Sequence, residues 1–244
     1  MDNAIEIKGL TKKFGDKTVL KNVNMTVKPR EIYAFLGANG AGKTTLMKLL
    51  FGILKADEGQ ISLLGKSINP TGSNPIFQKI GNIIETPVFY NGLSATENLQ
   101  VHCDYLGTTQ YKQDIKDILL LVGLSDTSGK QVGEFSLGMK QRLALGRALI
   151  GKPDLLVLDE PINGLDPMGI SDTRDLLLSI NREMGTAILI SSHIISEIDK
   201  IADTVGIIDT GEMLEEKALK EIKNNTDSLE TYFKQVVYGG GRHD

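Results

Sequence analysis

The sequence predicts an α/β fold built around a parallel sheet, and two stretches of the chain support this prediction. In the first, the apolar run 32–36 is followed by the glycine-rich loop 37–45 and then by apolar residues at helical spacing in 46–50. In the second, the apolar run 155–158 ends in Asp159 and Glu160. Four consecutive apolar residues suit a strand buried on both faces of a parallel sheet, and α/β folds bind ligands at the carboxyl ends of such strands.

The first segment of the chain is predicted to form antiparallel strands beside this core. Val23, Met25 and Val27 alternate with polar residues, and Ile5 and Ile7 alternate with charged residues. Such an alternation is typical of a half-buried strand, with one face on the core and one face in solvent.

The glycine-rich loop is the most specific motif of the chain. Its residues fit the pattern G-x-x-x-x-G-K-[ST] and are Gly37, Ala38, Asn39, Gly40, Ala41, Gly42, Lys43, Thr44 and Thr45. Glycines allow successive backbone N–H groups to point inward, and together with a helix N-terminus they form an anion site. The motif predicts that Lys43 reaches the β- and γ-phosphates of a nucleotide and that the Thr44 hydroxyl binds Mg²⁺. An ordinary glycine-rich turn is the alternative, and the strand–loop–helix order favours the phosphate loop.

The segment from residue 88 to residue 150 is predicted to be a helical insertion. Ser94 and Glu97 have the spacing of a capping box at a helix N-terminus. A second helix is expected at 111–122, because its apolar residues fall on one face. Ahead of this insertion, residues 65–75 are rich in Gly, Ser, Asn and Pro and are expected to form a loop.

Asp159 and Glu160 are predicted to complete the site begun by the glycine-rich loop. Asp159 would bind Mg²⁺ through water, and Glu160 could act as the base for an attacking water molecule. An acidic strand end leading into a turn is the alternative, since Pro161 and Gly164 follow.

A further strand is predicted at residues 186–190, and it is followed by Ser191, Ser192 and His193. A histidine at the end of a buried strand could contact a γ-phosphate. From these residues alone, a helix cap explains Ser191-Ser192-His193 equally well. The end of the chain, residues 236–244, is predicted to be a disordered tail.

The composition excludes several classes of protein. The chain has 244 residues, a net charge of −4 and a pI of about 5.5, so no basic surface indicates a nucleic-acid partner. No apolar stretch approaches the length needed to span a membrane, and the N-terminus does not resemble a secretion signal. The single cysteine, Cys103, cannot form an internal disulfide, which agrees with a reducing cytoplasm.

The run 135–142, Phe-Ser-Leu-Gly-Met-Lys-Gln-Arg, adds a third motif to the glycine-rich loop and the acidic strand end. With all three in this order, the chain resembles the ATP-binding subunits of ABC transporters from about residue 3 to about residue 235. The resemblance implies a P-loop NTPase (RecA-like) core with an antiparallel β subdomain and an inserted helical subdomain. It implies a single ATP-binding domain at 1–235, with the core and β layer at about 1–87 and 151–223 and the helical subdomain at about 88–150.

The resemblance also implies roles for individual residues. Lys43, Glu160 and His193 would be catalytic, and residues 37–45 would bind ATP together with Phe14, which would stack on adenine. Phe14 precedes Gly15 and Asp16, so a residue that packs in a turn is the alternative for it. The remaining implied roles are the signature that faces a partner's ATP (Ser136, Leu137, Gly138, Met139), the D-loop (Gly164, Leu165, Asp166) and the Mg²⁺ ligands (Thr44, Asp159, Glu85).

Two departures from the family pattern affect these roles. The usual signature is Leu-Ser-Gly-Gly-Gln, whereas this chain has Phe135, Leu137 and Met139 at three of its positions. Ser136 and Gly138 are kept, and they supply a hydroxyl and a backbone N–H at a helix start. Glu85 stands where the family usually has the glutamine of the Q-loop. With Thr86 and Pro87 it resembles a subgroup of bacterial exporters that protect cells against lantibiotics, bacitracin and similar peptide antibiotics.

The resemblance implies partners as well. We expect ATP and Mg²⁺ as cofactors, a homodimer that encloses ATP head to tail, and polytopic membrane permease subunits on separate chains. The protein would be cytoplasmic and peripheral on the inner face of the bacterial cell membrane, and no nucleic acid is expected. The alternatives are an exporter subunit for another drug or ion, a soluble ABC ATPase that works in assembly or repair, and an ATP-dependent binding module with little turnover.

Overall fold

The computed structural model describes residues 2–68, 75–127 and 129–239 and contains two β-sheets flanked by helices. Its strands are β1 (Ile5–Phe14), β2 (Lys17–Val27), β3 (Ile32–Leu36), β4 (Glu58–Leu63), β5 (Lys66–Ser67), β6 (Ile80–Ile83), β7 (Leu155–Asp159), β8 (Ala187–Ser192), β9 (Thr204–Asp209) and β10 (Glu212–Ala218). Its α-helices are α1 (Lys43–Leu50), α2 (Ala95–Tyr105), α3 (Ile115–Leu121), α4 (Leu137–Leu149), α5 (Pro167–Ser179), α6 (Ile195–Ile198), α7 (Leu219–Asn225) and α8 (Leu229–Tyr238).

The larger sheet has six strands in the order β10-β9-β3-β8-β7-β6. Its strands run parallel except for the edge strand β10, which pairs antiparallel with β9. The predicted strand 32–36 coincides with β3, the run 155–158 lies within β7, and the strand predicted at 186–190 is β8. The parallel α/β core is therefore confirmed.

Helices and the second sheet cover both faces of the larger sheet, which explains its continuous apolar strands. Along β3, Ile32, Ala34 and Leu36 contribute to one hydrophobic core, while Tyr33 and Phe35 contribute to the other. The first core contains residues of the helical segment and of α5 to α8, and the second contains residues of α1 and the smaller sheet. Because successive side chains of a strand point to opposite faces, a strand between two cores must be apolar throughout.

The smaller sheet is antiparallel, with the strand order β2-β1-β4-β5. This confirms the half-buried strands predicted for the first segment, in which Ile5 pairs with Val27 and Ile7 with Met25. The loop predicted at 65–75 needs a correction, because Lys66–Ser67 form the short strand β5 against β4. Residues 69–74 of that loop lie outside the described residues.

The segment between β6 and β7 is helical in the described residues. The predicted capping box is confirmed: the Ser94 side chain accepts a hydrogen bond from the Glu97 N–H, and the Glu97 carboxylate accepts one from the Ser94 N–H. The helix predicted at 111–122 is shorter than expected, because Thr109–Asp114 form a 3₁₀ helix and α3 begins at Ile115. Side-chain periodicity alone does not distinguish these two helix types over one turn.

The C-terminal part of the described chain is also helical. The tail predicted at 236–244 begins too early, because α8 continues to Tyr238 and buries Val237. Residues 240–244 of that prediction lie outside the described residues. Over residues 2–68, 75–127 and 129–239, no helix combines the length and the apolar character needed to cross a membrane.

Candidate functional site

The candidate site lies at the carboxyl ends of three adjacent strands of the larger sheet. The glycine-rich loop follows β3, Asp159 ends β7, and His193 follows β8. β8 pairs with both β3 and β7, so three motifs that are far apart in the sequence meet at one edge. This is the edge at which open α/β sheets bind ligands.

The glycine-rich loop adopts a conformation that its glycines make possible. Gly42 caps α1 with a φ of 112°, a region that other residues rarely enter. A Cβ atom at Gly37 would lie 2.4 Å from the carbonyl oxygen of Ile208, and one at Gly42 would lie 2.6 Å from the Leu20 side chain. The loop therefore packs tightly against the core while its other side lines a cavity of about 190 Å³. The lining residues are Val19, Asn39, Gly40, Gly42, Lys43, Thr44, Thr45, Asp159 and Glu160.

Lys43 is the main cation of this cavity. Its Nζ donates hydrogen bonds to the carbonyl oxygens of Gly37, at 2.7 Å, and Ala38, at 3.2 Å, and lies 4.0 Å from Glu160 Oε1. Burial lowers the pKa of the Lys43 amine, although the carboxylates of Glu160 and Asp159 oppose that shift. A partly desolvated ammonium group at a helix N-terminus is well suited to hold a polyphosphate.

Thr44 and Asp159, two of the predicted Mg²⁺ ligands, are in direct contact. The Thr44 hydroxyl donates to Asp159 Oδ2 at 2.7 Å, and the Ser191 hydroxyl donates to Asp159 Oδ1 at 2.6 Å. Asp159 is buried at the end of β7, so these two bonds fix its carboxylate. A hydroxyl and a carboxylate side by side are oxygen donors of the kind that Mg²⁺ prefers.

Glu160 and His193 form a second pair at the same edge. Nδ1 of His193 lies 2.8 Å from Glu160 Oε2, and the His193 N–H donates to the same oxygen at 3.3 Å. Glu160 has a φ of 50°, and its N–H donates to the Ser191 hydroxyl at 2.9 Å. The predicted base Glu160 and the predicted catalytic histidine His193 are therefore adjacent. The helix cap expected from Ser191-Ser192-His193 is not formed, because α6 begins after Ile194 without a side-chain cap; the Ser192 hydroxyl instead accepts a hydrogen bond from the Ile194 N–H in the turn before the helix.

The structure does not bring Glu85 into the cavity. Its carboxylate forms an ion pair with Lys48 of α1, and it is absent from the residues that line the cavity. Glu85 has a φ of 61° and a largely exposed side chain. Its role as a Mg²⁺ ligand remains a prediction, and it would require the carboxylate to leave Lys48.

Phe14 also lies outside the lining of the cavity. It stands at the end of β1, and its side chain is about half exposed, which leaves part of the ring accessible. The Lys12 ammonium lies 5.2 Å from the ring centroid, within the range of a cation–π contact. Stacking of Phe14 on adenine remains a prediction.

The signature residues belong to a different cavity. Ser136 caps α4 by accepting a hydrogen bond from the Met139 N–H, and Asp166 caps α5 by accepting one from the Gly169 N–H. Ser136, Gly138, Met139 and Asp166 line a cavity of about 340 Å³, which shares no lining residue with the cavity beside Lys43. The exposed Leu137 side chain packs near Gly164, and Leu165 lies near Gly138. The predicted signature and D-loop are thus neighbours.

Two residues of the site were not assigned a role from the sequence. Ser191 joins Asp159 to the Glu160 backbone, and Val19 lines the cavity from β2. Neither belongs to a motif with a distinctive spacing. The pairing of β7 with β8, in which Asp159 lies opposite Ser191, is the signal that identifies the serine.

A third cavity, of about 230 Å³, is lined by residues of β6 and of the helical segment. His102, Tyr111 and Arg147 are among its lining residues. Burial and the charge of Arg147 lower the pKa of His102 to about 4, so this histidine is neutral at physiological pH. The Arg147 guanidinium lies 5.0 Å from the centroid of the Phe89 ring and donates to the Val88 carbonyl at 3.2 Å.

Comparisons with known proteins agree with this geometry. A family model described as ABC transporter matches residues 20–163. The chain is 45% identical to the bacitracin transport ATP-binding protein BcrA of Bacillus licheniformis, over 91% of this chain and 72% of that protein. It is 42% identical to the lantibiotic transport ATP-binding protein SrtF of Streptococcus pyogenes, over 96% of this chain and 97% of that protein. A solved ATP-binding subunit of an ABC transporter superposes with a TM-score of 0.82 at 27% identity, over 96% of this chain and 99% of that one.

Proposed function

The chain belongs to the ABC transporter family, and we propose that it is the subunit that binds and hydrolyses ATP to power an exporter. The observation that carries this proposal is the convergence of Lys43, the Thr44–Asp159 pair and the Glu160–His193 pair on one strand edge. A phosphate loop alone would fit many nucleotide-binding proteins. A carboxylate held beside a histidine at the same edge fits hydrolysis of the bound nucleotide.

In the proposed reaction, the triphosphate of ATP lies along the glycine-rich loop, held by its backbone N–H groups and by Lys43. Thr44 and Asp159 would hold Mg²⁺, which neutralises phosphate charge when it is bound. Glu160 orients a water molecule and accepts its proton as the oxygen attacks the γ-phosphorus and the bond to ADP breaks. His193 holds the Glu160 carboxylate in place at 2.8 Å. Phe14 would stack on the adenine ring.

We further propose that two copies of the chain form each ATP site. The support is the separation of the cavity at Ser136 from the cavity at Lys43, because one chain does not bring its signature to its own phosphate loop. In a head-to-tail homodimer, Ser136 and Gly138 of one copy would cover the ATP held by the other. Closure would exclude water from the γ-phosphates and strengthen the interaction with Lys43.

The membrane-spanning subunits would be separate chains that contact the helical segment, with this chain peripheral on the cytoplasmic face of the bacterial membrane. Support comes from the exposed Val88 and Tyr90 side chains, which follow Glu85. The Val88 carbonyl accepts a hydrogen bond from Arg147, which lines the cavity at the helical segment. Glu85 would then connect this contact surface to α1 through Lys48. Exposed apolar side chains beside a cleft are typical of a surface that binds another protein.

The proposed cargo is a peptide antibiotic of the lantibiotic or bacitracin type. Relatives named for transport of bacitracin and of a lantibiotic share 45% and 42% identity with this chain. Glu85 with Thr86 and Pro87 supports the same subgroup. Another drug or an ion is the alternative cargo, and an ABC ATPase without membrane partners is the alternative to an exporter.

The proposal is tested by deleting the gene and measuring the inhibitory concentrations of bacitracin, several lantibiotics and a panel of unrelated drugs and ions. Deletion should sensitise the cells to at least one peptide antibiotic. The wild-type gene should restore resistance, whereas a Glu160→Gln gene should not, because resistance depends on ATP turnover.

Unchanged sensitivity to every peptide antibiotic, with altered tolerance to an unrelated drug or ion, would overturn the assignment of a peptide antibiotic as the cargo. The proposal that the chain is an ATPase would remain intact. Co-purification from detergent extracts tests the exporter separately. Failure to recover any membrane protein with the tagged chain would favour the ATPase without membrane partners.

A further inference from the structure

An ion pair joins the two helices that follow the D-loop and His193. Arg174 of α5 contacts Glu197 of α6, with 3.0 Å between Nη1 and Oε2. A second guanidinium nitrogen of Arg174 donates to the Ser171 hydroxyl at 2.7 Å. Both side chains of the pair are largely buried, with 20% of Arg174 and 15% of Glu197 exposed. The geometry and partial burial distinguish this pair from a solvated surface contact.

The pair connects two segments that the proposed site uses. α5 begins directly after the D-loop, where Asp166 caps it. α6 begins two residues after His193, and the Ser192 hydroxyl accepts a hydrogen bond from the Ile194 N–H between them. A continuous path therefore runs from Asp166 along α5 to Arg174, across the ion pair to Glu197, and back along α6 to His193.

The segment that carries His193 depends on tertiary contacts for its position. α6 is a single turn of four residues, and a helix of that length does not hold its conformation without tertiary contacts. Its described anchors are the Ile195 and Ile198 side chains in the first core, the contacts of Lys223 with the carbonyl and carboxylate of Asp199, and the Arg174–Glu197 pair. Of these, the ion pair is the contact that leads to the D-loop.

We propose that Arg174 and Glu197 are positioning residues that hold His193 against Glu160 and connect it to the D-loop. The inference rests on the proposed function, since it assigns these residues to the same hydrolysis. Neither residue touches ATP in the proposed site. Loss of the pair should let the His193 segment shift, which weakens its contact with the Glu160 carboxylate and slows the chemical step.

The test compares Arg174→Gln and Glu197→Gln with two matched controls. Asp175→Asn removes the other carboxylate near Arg174, and Lys200→Gln removes the other cation at Glu197. Each control therefore breaks one neighbouring ion pair and leaves Arg174–Glu197 intact. Arg174→Lys is the conservative variant, because it keeps the positive charge.

For the purified chain, kcat for ATP hydrolysis should fall roughly 10- to 100-fold in Arg174→Gln and Glu197→Gln, the range caused by a small misplacement of a catalytic group. The affinity and stoichiometry of ATP binding should remain those of the wild type, because the glycine-rich loop and Lys43 are not altered. Both controls should keep wild-type kcat, and Arg174→Lys should recover a large part of it.

Wild-type kcat in both glutamine variants would overturn the inference. A parallel loss of kcat and of ATP-binding stoichiometry would also overturn it, since that result indicates a smaller folded fraction. Failure of the proposed function has a different signature, because the wild-type chain would then hydrolyse no ATP or Glu160→Gln would hydrolyse it normally.

Discussion

At the scale of single residues, Glu160 is the position where conformation and chemistry are most closely connected. Its φ of 50° lies in the left-handed region, which costs free energy in a residue with a side chain. Hydrogen bonds from its N–H to Ser191 and from the His193 N–H to its carboxylate hold it there. The strained backbone turns the carboxylate toward Lys43, 4.0 Å away, instead of along the strand.

Glu160→Gln should abolish turnover without abolishing nucleotide binding. Glutamine keeps the size of the side chain and much of its hydrogen bonding, but it cannot accept the proton of the attacking water. ATP hydrolysis should fall at least about 100-fold, within the range for a lost general base. Steady-state phosphate release and equilibrium binding of ATP measure the two effects.

Glu160→Asp serves as the control for charge, because it keeps a carboxylate and shortens the side chain. It should retain more activity than the glutamine variant. Near-normal phosphate release by Glu160→Gln would remove this residue from the role of base.

Motif spacing predicts the residues that are proposed to contact the nucleotide, but it does not predict the residues that hold those side chains in place. Lys43, Thr44 and Asp159 follow from local patterns, because a glycine-rich loop and an acidic strand end are readable in a few residues. Ser191 and Lys48 do not, since their roles depend on which strand lies beside β7 and on which loop lies beside α1. The position of Glu85 shows the same limit. Its predicted contact with a metal ion competes with its ion pair to Lys48, a residue 37 positions earlier in the sequence.

At the scale of elements, the closest packing contact near the site lies between β6 and α4. A Cβ atom at Gly81 would lie 2.0 Å from the carbonyl oxygen of Ala148 and 2.6 Å from the Leu156 side chain. The backbone of α4 therefore rests directly on β6. This contact fixes the distance between the strand that leads to Glu85 and the helix that Ser136 caps.

Gly81→Ala should destabilise the protein by roughly 1–3 kcal/mol, the cost of overpacking a tight core site. The added methyl group meets backbone atoms, which cannot rotate away, so β6 and α4 must separate. Urea unfolding followed by circular dichroism measures the change in free energy.

Gly92→Ala is the matched control, because a Cβ atom at Gly92 has no described neighbour within 4 Å. The control should unfold at the wild-type urea concentration. Equal stability of the two variants would contradict the close packing of α4 on β6.

Elements that depend on neighbouring residues can be predicted from the sequence more reliably than elements that depend on contacts with distant parts of the chain. β3, β7 and the capping box of α2 depend on residues within a few positions of one another, and they occur where the patterns place them. β5 and the 3₁₀ turn before α3 depend on contacts with other elements, and local propensity is a weak guide to such short segments. The order of strands in the larger sheet depends on which strands the chain brings together from distant parts of the sequence, and no local pattern predicts it.

At the scale of the whole molecule, the cavity at Lys43 and the cavity at Ser136 share no lining residue, and the proposed dimer makes this separation testable. Lys43→Ala leaves the signature intact, and Ser136→Ala leaves the phosphate loop intact. A mixed dimer of the two variants would contain one site with both halves functional. Mixing the two inactive variants should therefore restore part of the ATPase activity, measured as phosphate release at several mixing ratios.

Lys43→Ala mixed with Glu160→Gln is the control. Both substitutions damage the half-site that holds the triphosphate, so no site in that mixed dimer is complete. The control mixture should stay inactive. Absence of recovery with Ser136→Ala, once native mass spectrometry has demonstrated mixed dimers, would count against a shared site.

The position of β3 between β8 and β9 has a consequence for the synthesis of the protein on the ribosome. β3 ends at Leu36, but its partners are made only when translation reaches Ala187–Ser192 and Thr204–Asp209. At about 5–20 residues per second, this fully apolar strand waits roughly 8–30 s without a hydrogen-bonding neighbour. An unpaired apolar strand is a template for aggregation. The nascent chain therefore depends on β1, β2 and α1 to cover one side of β3 while the rest of the sheet is still being translated.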